Sequence, residues 1–325
     1  MWNRRSVLTG IVSALALTAP AGVMAQDYNV ELKAATAFAR NSDLEKGFWT
    51  FVDKVQTLSD GRIQVNYIGG PEAIPPFEQI EGVRSGIVDL TTNAGSYFSS
   101  VIPEGDALKL SELTPWEERE NGATELISDI LAEKGVRYVG RYNTPGLTFN
   151  FYTTKKIENM ADLSGMRMRI SPLYKSFAEN LGIVPVQLAH SEIYAALERG
   201  MVDGIGASNI GMSQQGHQEF LKYVVKPEFY GNDQVIIMNL DVWESLPDEA
   251  KKVIDQAIQE TEKESSKGFL ELAEMERKTV LEAGLTEVTL PEQEEYLDLA
   301  REKGWEDLLK NAPENGPELQ RLLTK

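Results

Sequence analysis

One stretch of the chain carries groups able to grip a charged ligand: Met166-Arg167-Met168-Arg169-Ile170-Ser171-Pro172. Apolar and cationic residues alternate there. A strand would place Met166, Met168 and Ile170 on one face and both arginines on the other. Pro172 ends such a strand, which puts Arg169 at its carboxyl end with Ser171 beside it. A guanidinium in that place can hold a carboxylate through two parallel N–H···O bonds. The same alternation also describes a half-exposed strand with two solvated cations, and the pattern alone leaves both readings open.

Catalytic chemistry has little to work with. His190 and His217 are the only histidines, and there is no cysteine. That removes disulfides, thiolate metal sites, a cysteine nucleophile and a histidine-rich metal centre. No Gly-x-Ser-x-Gly elbow is present, and Gly69-Gly70-Pro71 reads as a turn instead of a phosphate loop. No cofactor or metal is expected. Carboxylates are so abundant that pairs of them carry no information. A hydrolase or lyase working on a small acid through two carboxylates remains the enzyme alternative.

The formal net charge is −18. Such a surface repels nucleic acid and anionic lipid, so neither is expected as a partner. With 42% hydrophobic and 8% aromatic residues the chain can nevertheless build a core. If its ligand is an anion, the site must be locally positive against the global field, which is why an inward arginine matters. The first 25 residues read as a cleaved export signal: Arg4 and Arg5, an apolar run from Val7 to Pro20, and small residues at Val23 and Ala25 before Gln26. Asn3-Arg4-Arg5-Ser6-Val7-Leu8 fits a twin-arginine signal as well as ordinary Sec export. The expected address is the periplasm. The remaining chain, about 300 residues, suffices for two domains.

Strand and helix signals alternate, as in α/β folds. Asn29 to Ala35 reads as a strand. Ser42-Asp43-Leu44-Glu45 reads as a capping box opening a helix with Phe48, Val52, Val55 and Leu58 on one face. Further strands are expected over 62–67, 88–91, 136–140 and 146–153. Residues 78–89 and 192–203 echo each other, each a helix ending in Gly-x-Val-Asp. A cheap helix stop repeated by chance accounts for this, as does one α/β unit used twice with a cleft between the copies. Asp248 to Glu282 lacks proline and reads as a helix near 50 Å long, either a solvated helix or a brace across two domains. From Pro291 a helical tail follows, anchored by Trp305, Leu308 and Leu309.

Taken in order, these segments resemble a known family. Gly165-Met166-Arg167-Met168-Arg169-Ile170-Ser171-Pro172 after Met160-Ala161-Asp162-Leu163 is similar to the signature strand of the DctP-type substrate-binding proteins of tripartite ATP-independent periplasmic (TRAP) transporters. So are Leu197-Glu198-Arg199-Gly200-Met201-Val202-Asp203-Gly204, Phe77 through Leu90, Asn232-Asp233-Gln234 and Trp243-Glu244-Ser245-Leu246-Pro247. The resemblance implies an α/β fold of the periplasmic binding protein type. Two α/β domains (26–147 with 235–275, and 148–234 with 276–325) would close on a ligand, bridged by the long helix of about 248–282. It implies a monomeric receptor that delivers a small organic acid to TRAP permease membrane subunits, and not an enzyme. A receptor that signals to a membrane sensor is the alternative partner.

By the same resemblance Arg169 is the residue that clamps the ligand's carboxylate, and Arg167 is peripheral. A second arginine of sialic-acid-type members falls near Phe149, in Phe149-Asn150-Phe151-Tyr152. Their asparagine falls near Ala207, with Asn209 two residues on. One cation fewer and an aromatic more argue for a monocarboxylate with an apolar or flat body, or a small sugar acid, over a dicarboxylate. The further ligand contacts expected are Phe38, Glu72, Tyr97, Phe149, Asn150, Ser171, Asn209, Tyr230 and Asp233. For Phe38, Tyr97 and Tyr230 a core role competes, and for Glu72 a solvated one.

Overall fold

The structure, a computed structural model, describes residues 28–325, so the expected export signal lies outside the described residues. The first half runs β1 (Val30–Thr36), α1 (Lys46–Leu58), β2 (Ile63–Gly69), α2 (Gln79–Arg84), β3 (Leu90–Ala94), α3 (Pro115–Glu120), α4 (Ala123–Ala132) and β4 (Val136–Arg141). The chain then crosses to β5 (Thr148–Thr153), β6 (Arg167–Ile170), α5 (Lys175–Asn180), β7 (Val184–Gln187), α6 (Ile193–Glu198), β8 (Gly204–Ser208) and β9 (Tyr223–Gly231). It returns through β10 (Gln234–Asn239) and α7 (Leu240–Ser245). The long α8 (Asp248–Glu282), β11 (Thr286–Thr289), α9 (Gln293–Asn311) and α10 (Gly316–Leu323) complete it.

Two sheets result, ordered β2-β1-β3-β10-β4 and β11-β9-β5-β8-β6-β7. Each is built on three parallel strands, β1 between β2 and β3, and β6 between β7 and β8. Each then adds an antiparallel strand that has just crossed from the other sheet: β10 beside β3, and β5 beside β8. The sequence echo is therefore one unit used twice. Gly86 (φ +72°) and Gly200 (φ +62°) end α2 and α6 in the left-handed conformation that glycine adopts without penalty. The aspartate that follows does the same work in both copies. Asp89 takes the N–H of Lys33 in β1 (2.6 Å), and Asp203 takes the N–H of Arg167 in β6 (3.0 Å).

Both faces of each sheet are covered, which the side-chain period of two makes visible. In β10, Val235 and Ile237 pack with Ile127, Leu131, Leu308 and Leu323, while Ile236 and Met238 pack with Phe48, Phe51, Ile254 and Ile258. In β5, Phe151 joins Met168, Phe177 and Phe229, and Tyr152 joins Ile205, Val224 and Val280.

The long helix spans the residues that the sequence indicates and touches both units. Ala250 to Ile258 lie against the first sheet, Phe269 sits at the cleft, and Val280 packs on the second sheet. The tail departs from expectation. The expected boundaries put it in the second domain, yet only the start of α9 (Tyr296, Ala300) belongs to that core. Trp305, Leu308 and all of α10's apolar residues bury against the first. The apolar stripe at 296, 300, 304–305 and 308 repeats at helical spacing, and it is long enough to cross from one core to the other. The two chain crossings are tied side by side: Asn232 Nδ2 donates to Tyr142 O (2.6 Å), and Asn143 Nδ2 donates to Gln234 Oε1 (2.8 Å).

Ser42 caps its helix by accepting from Leu44 N–H (3.3 Å), but Glu45 does not complete the expected box. It is fully buried instead, accepting from Phe38 N–H (3.0 Å) and from the Thr92 hydroxyl (2.9 and 3.0 Å). No cation among the described residues compensates it, and burial pushes its carboxyl up to about 8. The folded chain thus holds a proton that the unfolded chain loses near pH 4. Its contribution to stability is complete below that pH, declines at up to about 1.4 kcal/mol per pH unit as pH rises, and levels off above 8. Glu45→Gln keeps an acceptor for Phe38 N–H and cannot ionise. Its melting temperature should gain on the wild type steadily from pH 5 to 8, and parallel pH profiles would refute the buried neutral acid.

Candidate functional site

The carboxyl ends of β1, β3, β6 and β8 face one another across the gap between the sheets, the place where parallel strands leave backbone groups unpaired. A cavity of about 40 Å³ lies there, and an outer chamber of about 180 Å³ adjoins it. Phe38 and His190 border both, edge to face with ring centroids 5.5 Å apart. The cleft is closed. Across its mouth Gln214 accepts from Asp43 N–H (3.0 Å) and donates to Asn41 O (2.7 Å), joining the two units through one side chain.

Arg169 forms the polar centre of the cavity. The alternation in β6 holds as expected: Met168 and Ile170 are buried in the second core, and the arginines point the other way. Arg167, at the open end of the strand, is exposed and bonds Asp203 (3.4 Å). Arg169, at the closed end, is 2% exposed. Its Nε donates to Leu188 O (3.0 Å), and its Nη1 donates to Gly206 O (3.1 Å) and the Tyr174 hydroxyl (3.3 Å). Nη2 is buried and has no partner among the described residues. Nε and Nη1 thus meet protein acceptors, and Nη2, which shares a fork with each of them, is the nitrogen left to a ligand.

That charge sets the electrostatics around it. His190 is pushed down to about 3 and His217 to about 4, by burial first and by Arg169 next, so both rings are neutral at ordinary pH. Burial raises the Tyr97 and Tyr174 phenols, and Arg169 opposes the rise. Asp233, buried at the crossing into β10, accepts from Ser96 N–H (2.8 Å), and burial raises its carboxyl to about 6. Phe149 and Tyr174, with centroids 5.8 Å apart, form an aromatic wall.

Of the residues read from sequence, Arg169, Phe38, Tyr97, Phe149, Ser171 and Asp233 line the cavity. Ala207 does too, at the position where the related asparagine was expected. Four others do not. Glu72 is exposed and folds back on Gly70 N–H (2.8 Å) inside its own turn. Asn150 alternates with Phe149 and therefore faces α8 across the opposite side of the sheet. Asn209 lies on that side as well, stitching β8 to the crossing through Thr148 N–H (3.1 Å) and Gly146 O (2.9 Å). Tyr230 turns toward α9 and donates to Ala300 O (2.6 Å).

Sequence reading missed His190, Tyr174 and Gln234, which also line the cavity. The internal repeat held a signal for His190. It opens the α6 turn as Pro76 opens the α2 turn, and both border the outer chamber. Nothing local marks Tyr174, whose hydroxyl reaches Gly206 O only through the fold.

Comparison with known proteins bears on the family and the fold. The DctP model, bacterial extracellular solute-binding protein family 7, matches residues 34–303. The monocarboxylate 2-oxoacid-binding periplasmic protein all3028 of Nostoc sp. (strain PCC 7120) is 24% identical over 277 residues, 78% of this chain and 74% of that one. The C4-dicarboxylate-binding periplasmic protein DctP of Rhodobacter capsulatus is 22% identical over 319 residues, covering 94% and 92%. Among solved structures, a TRAP solute-binding protein specific for pyroglutamate, from an unidentified marine microbe, superposes with a TM-score of 0.78 at 19% identity, covering 91% of this chain and 99% of that one. The chain belongs to the DctP family of TRAP-transporter solute-binding proteins, bacterial extracellular solute-binding protein family 7.

Proposed function

We propose that this protein captures a small organic acid as its anion in the cleft between the two sheets and hands it to a TRAP membrane permease. The observation that carries this reading is Arg169, a buried guanidinium with one nitrogen free and no acid beside it. A buried charge without a counter-ion is costly, and a ligand carboxylate on Nη2 supplies both the charge and the missing acceptor. The named acids of the relatives support the class. The cavity favours a monocarboxylate, because Arg169 is the one cation that lines it among the described residues and its aromatic wall includes Phe38, Phe149 and Tyr174. Residues 1–25 would direct export to the periplasm and be removed, and the receptor would act as a monomer.

A thermal-shift screen of small organic acids against their amides and alcohols tests the reading. A bound acid at 100 times its dissociation constant should stabilise the protein by about 2.7 kcal/mol, and the neutral analogues should not. Stabilisation by neutral solutes alone, or by C4-dicarboxylates alone, would count against it. By calorimetry, Arg169→Ala should weaken the best acid at least about tenfold. Arg169→Lys should fail to restore it, since an ammonium cannot hold the carbonyls of Leu188 and Gly206 and still present a donor to the ligand. Unchanged affinity in both variants would remove Arg169 from the site. Gln214→Ala should speed ligand release several-fold in stopped flow with little change in capture, because its two exposed hydrogen bonds span the mouth and must break for the units to part.

A further inference from the structure

We propose that Asp233 selects the ligand by a hydrogen-bond donor. Of the acids that Arg169 holds, the site takes those that also carry an N–H or O–H group (hydroxy, amino or lactam acids) and rejects oxo acids of the same skeleton. This inference rests on the carboxylate-receptor reading above and concerns the other end of the ligand.

The grounds are the polar atoms that the fold leaves unused around the cavity. Two are donors. Arg169 Nη2 on one wall has no partner, and neither has Gln234 Nε2, whose Oε1 is already taken by Asn143 (2.8 Å). The third is an acceptor. Asp233 is 1% exposed, and its carboxylate is pinned because Oδ2 takes Ser96 N–H (2.8 Å) while its carbonyl takes Gly95 N–H (2.9 Å). Its Oδ1 takes no backbone N–H; the buried Ser96 hydroxyl, otherwise unpaired, lies against the carboxylate and fills only one of its remaining lone pairs, and the residue lines the cavity. Asp106 and Lys109 are the charges beside it, and they bond each other (2.6 Å). A ligand with only acceptors satisfies the two donors and then sets its lone pairs against a carboxylate. A ligand with one N–H or O–H completes all three atoms. Sites built around such a donor discriminate strongly against analogues that lack it, because the buried acceptor is left unpaired.

Proton linkage gives a second signature. Asp233 sits at about 6, whereas the other titratable groups at the cavity lie well away: His190 at about 3, His217 behind it at about 4, and Tyr97 and Tyr174 raised above the ordinary phenol value. Glu45, under the Phe38 loop, lies near 8, and burial raises Asp106. A ligand that donates to Asp233 needs the ionised carboxylate, so its affinity rises from pH 5 to 7, by about tenfold at most. A ligand that presents a carbonyl there needs the protonated acid and weakens over the same range.

The experiment measures calorimetric affinities of the wild-type protein for matched pairs at pH 5, 6 and 7. Suitable pairs are lactate with pyruvate, 2-hydroxybutyrate with 2-oxobutyrate, and pyroglutamate with its lactone analogue, in which oxygen replaces the N–H. The expected result is at least tenfold tighter binding of the donor-bearing member, tightening further toward pH 7. Asp233→Asn should collapse the ratio, since a carboxamide can keep Ser96 as a partner and offer its own N–H to a carbonyl. If that variant does not fold, the wild-type pH slopes decide alone. Arg169-dependent binding that does not distinguish the members of a pair, or that weakens toward pH 7 for hydroxy acids, overturns this inference and leaves the carboxylate reading intact. Absence of Arg169-dependent binding by any acid overturns both.

Discussion

A guanidinium buried without a counter-charge is the condition around which the rest of the cleft is arranged. Taking such a group out of water costs several kcal/mol unless dipoles replace its hydration. Here the ends of neighbouring strands do so, through the carbonyls of Leu188 and Gly206, with the Tyr174 hydroxyl alongside. The clamp needs Gly206 for space, since a Cβ there would clash with the Tyr174 ring. Tyr174 in turn is fixed by Phe151 and Phe229, with centroids 6.1 and 5.5 Å away. One nitrogen of Arg169 is thus held rigidly toward the cavity, so no side-chain ordering has to accompany binding.

The same charge explains why a surface this acidic can accept an anion. The net charge of −18 repels anions at a distance, but that repulsion is screened within about 8 Å at physiological salt. Inside the cleft the local field is set by groups within hydrogen-bond reach. Burial and Arg169 together keep both histidines neutral, which avoids a second cation and leaves one defined anchor. Asp233 and Arg169 come from opposite walls, so a ligand that engages both ends of the cavity also ties the walls together.

At the mouth the two units meet through one glutamine side chain and one edge-to-face aromatic pair, and deeper in Ile210 packs on Phe38, Leu44 and Tyr97 while Lys109 Nζ donates to Leu173 O. The connections at the back are heavier: two crossings tied by buried amides, and α8 and α9, each packed into both cores. A stiff back and a lighter front suit a cleft whose closed state is chosen by what fills it.

Much of this was legible in the sequence, because the features concerned are periodic or local. The 35-residue helix follows from uninterrupted helical spacing. The duplicated unit follows from two Gly-x-Val-Asp stops, and the facing of Arg169 from alternation in a short strand. Alternation also contained the answer that was misread: Phe149 and Asn150 cannot both face the ligand, and the structure gives the cavity to Phe149. Other features lay beyond any local pattern. Glu45 sits where a capping box is expected, and burial beneath Thr92 and Phe38 took it inward instead. The tail α10 joined the first core, and Tyr230 turned away to α9. The sequence by itself determined which residues could face the cleft, since side-chain direction within a strand or helix is fixed by local geometry. Only the tertiary structure decided which of them meet there and which nitrogen of Arg169 stays free, because long-range packing sets hydrogen-bond partners drawn from distant segments of the chain.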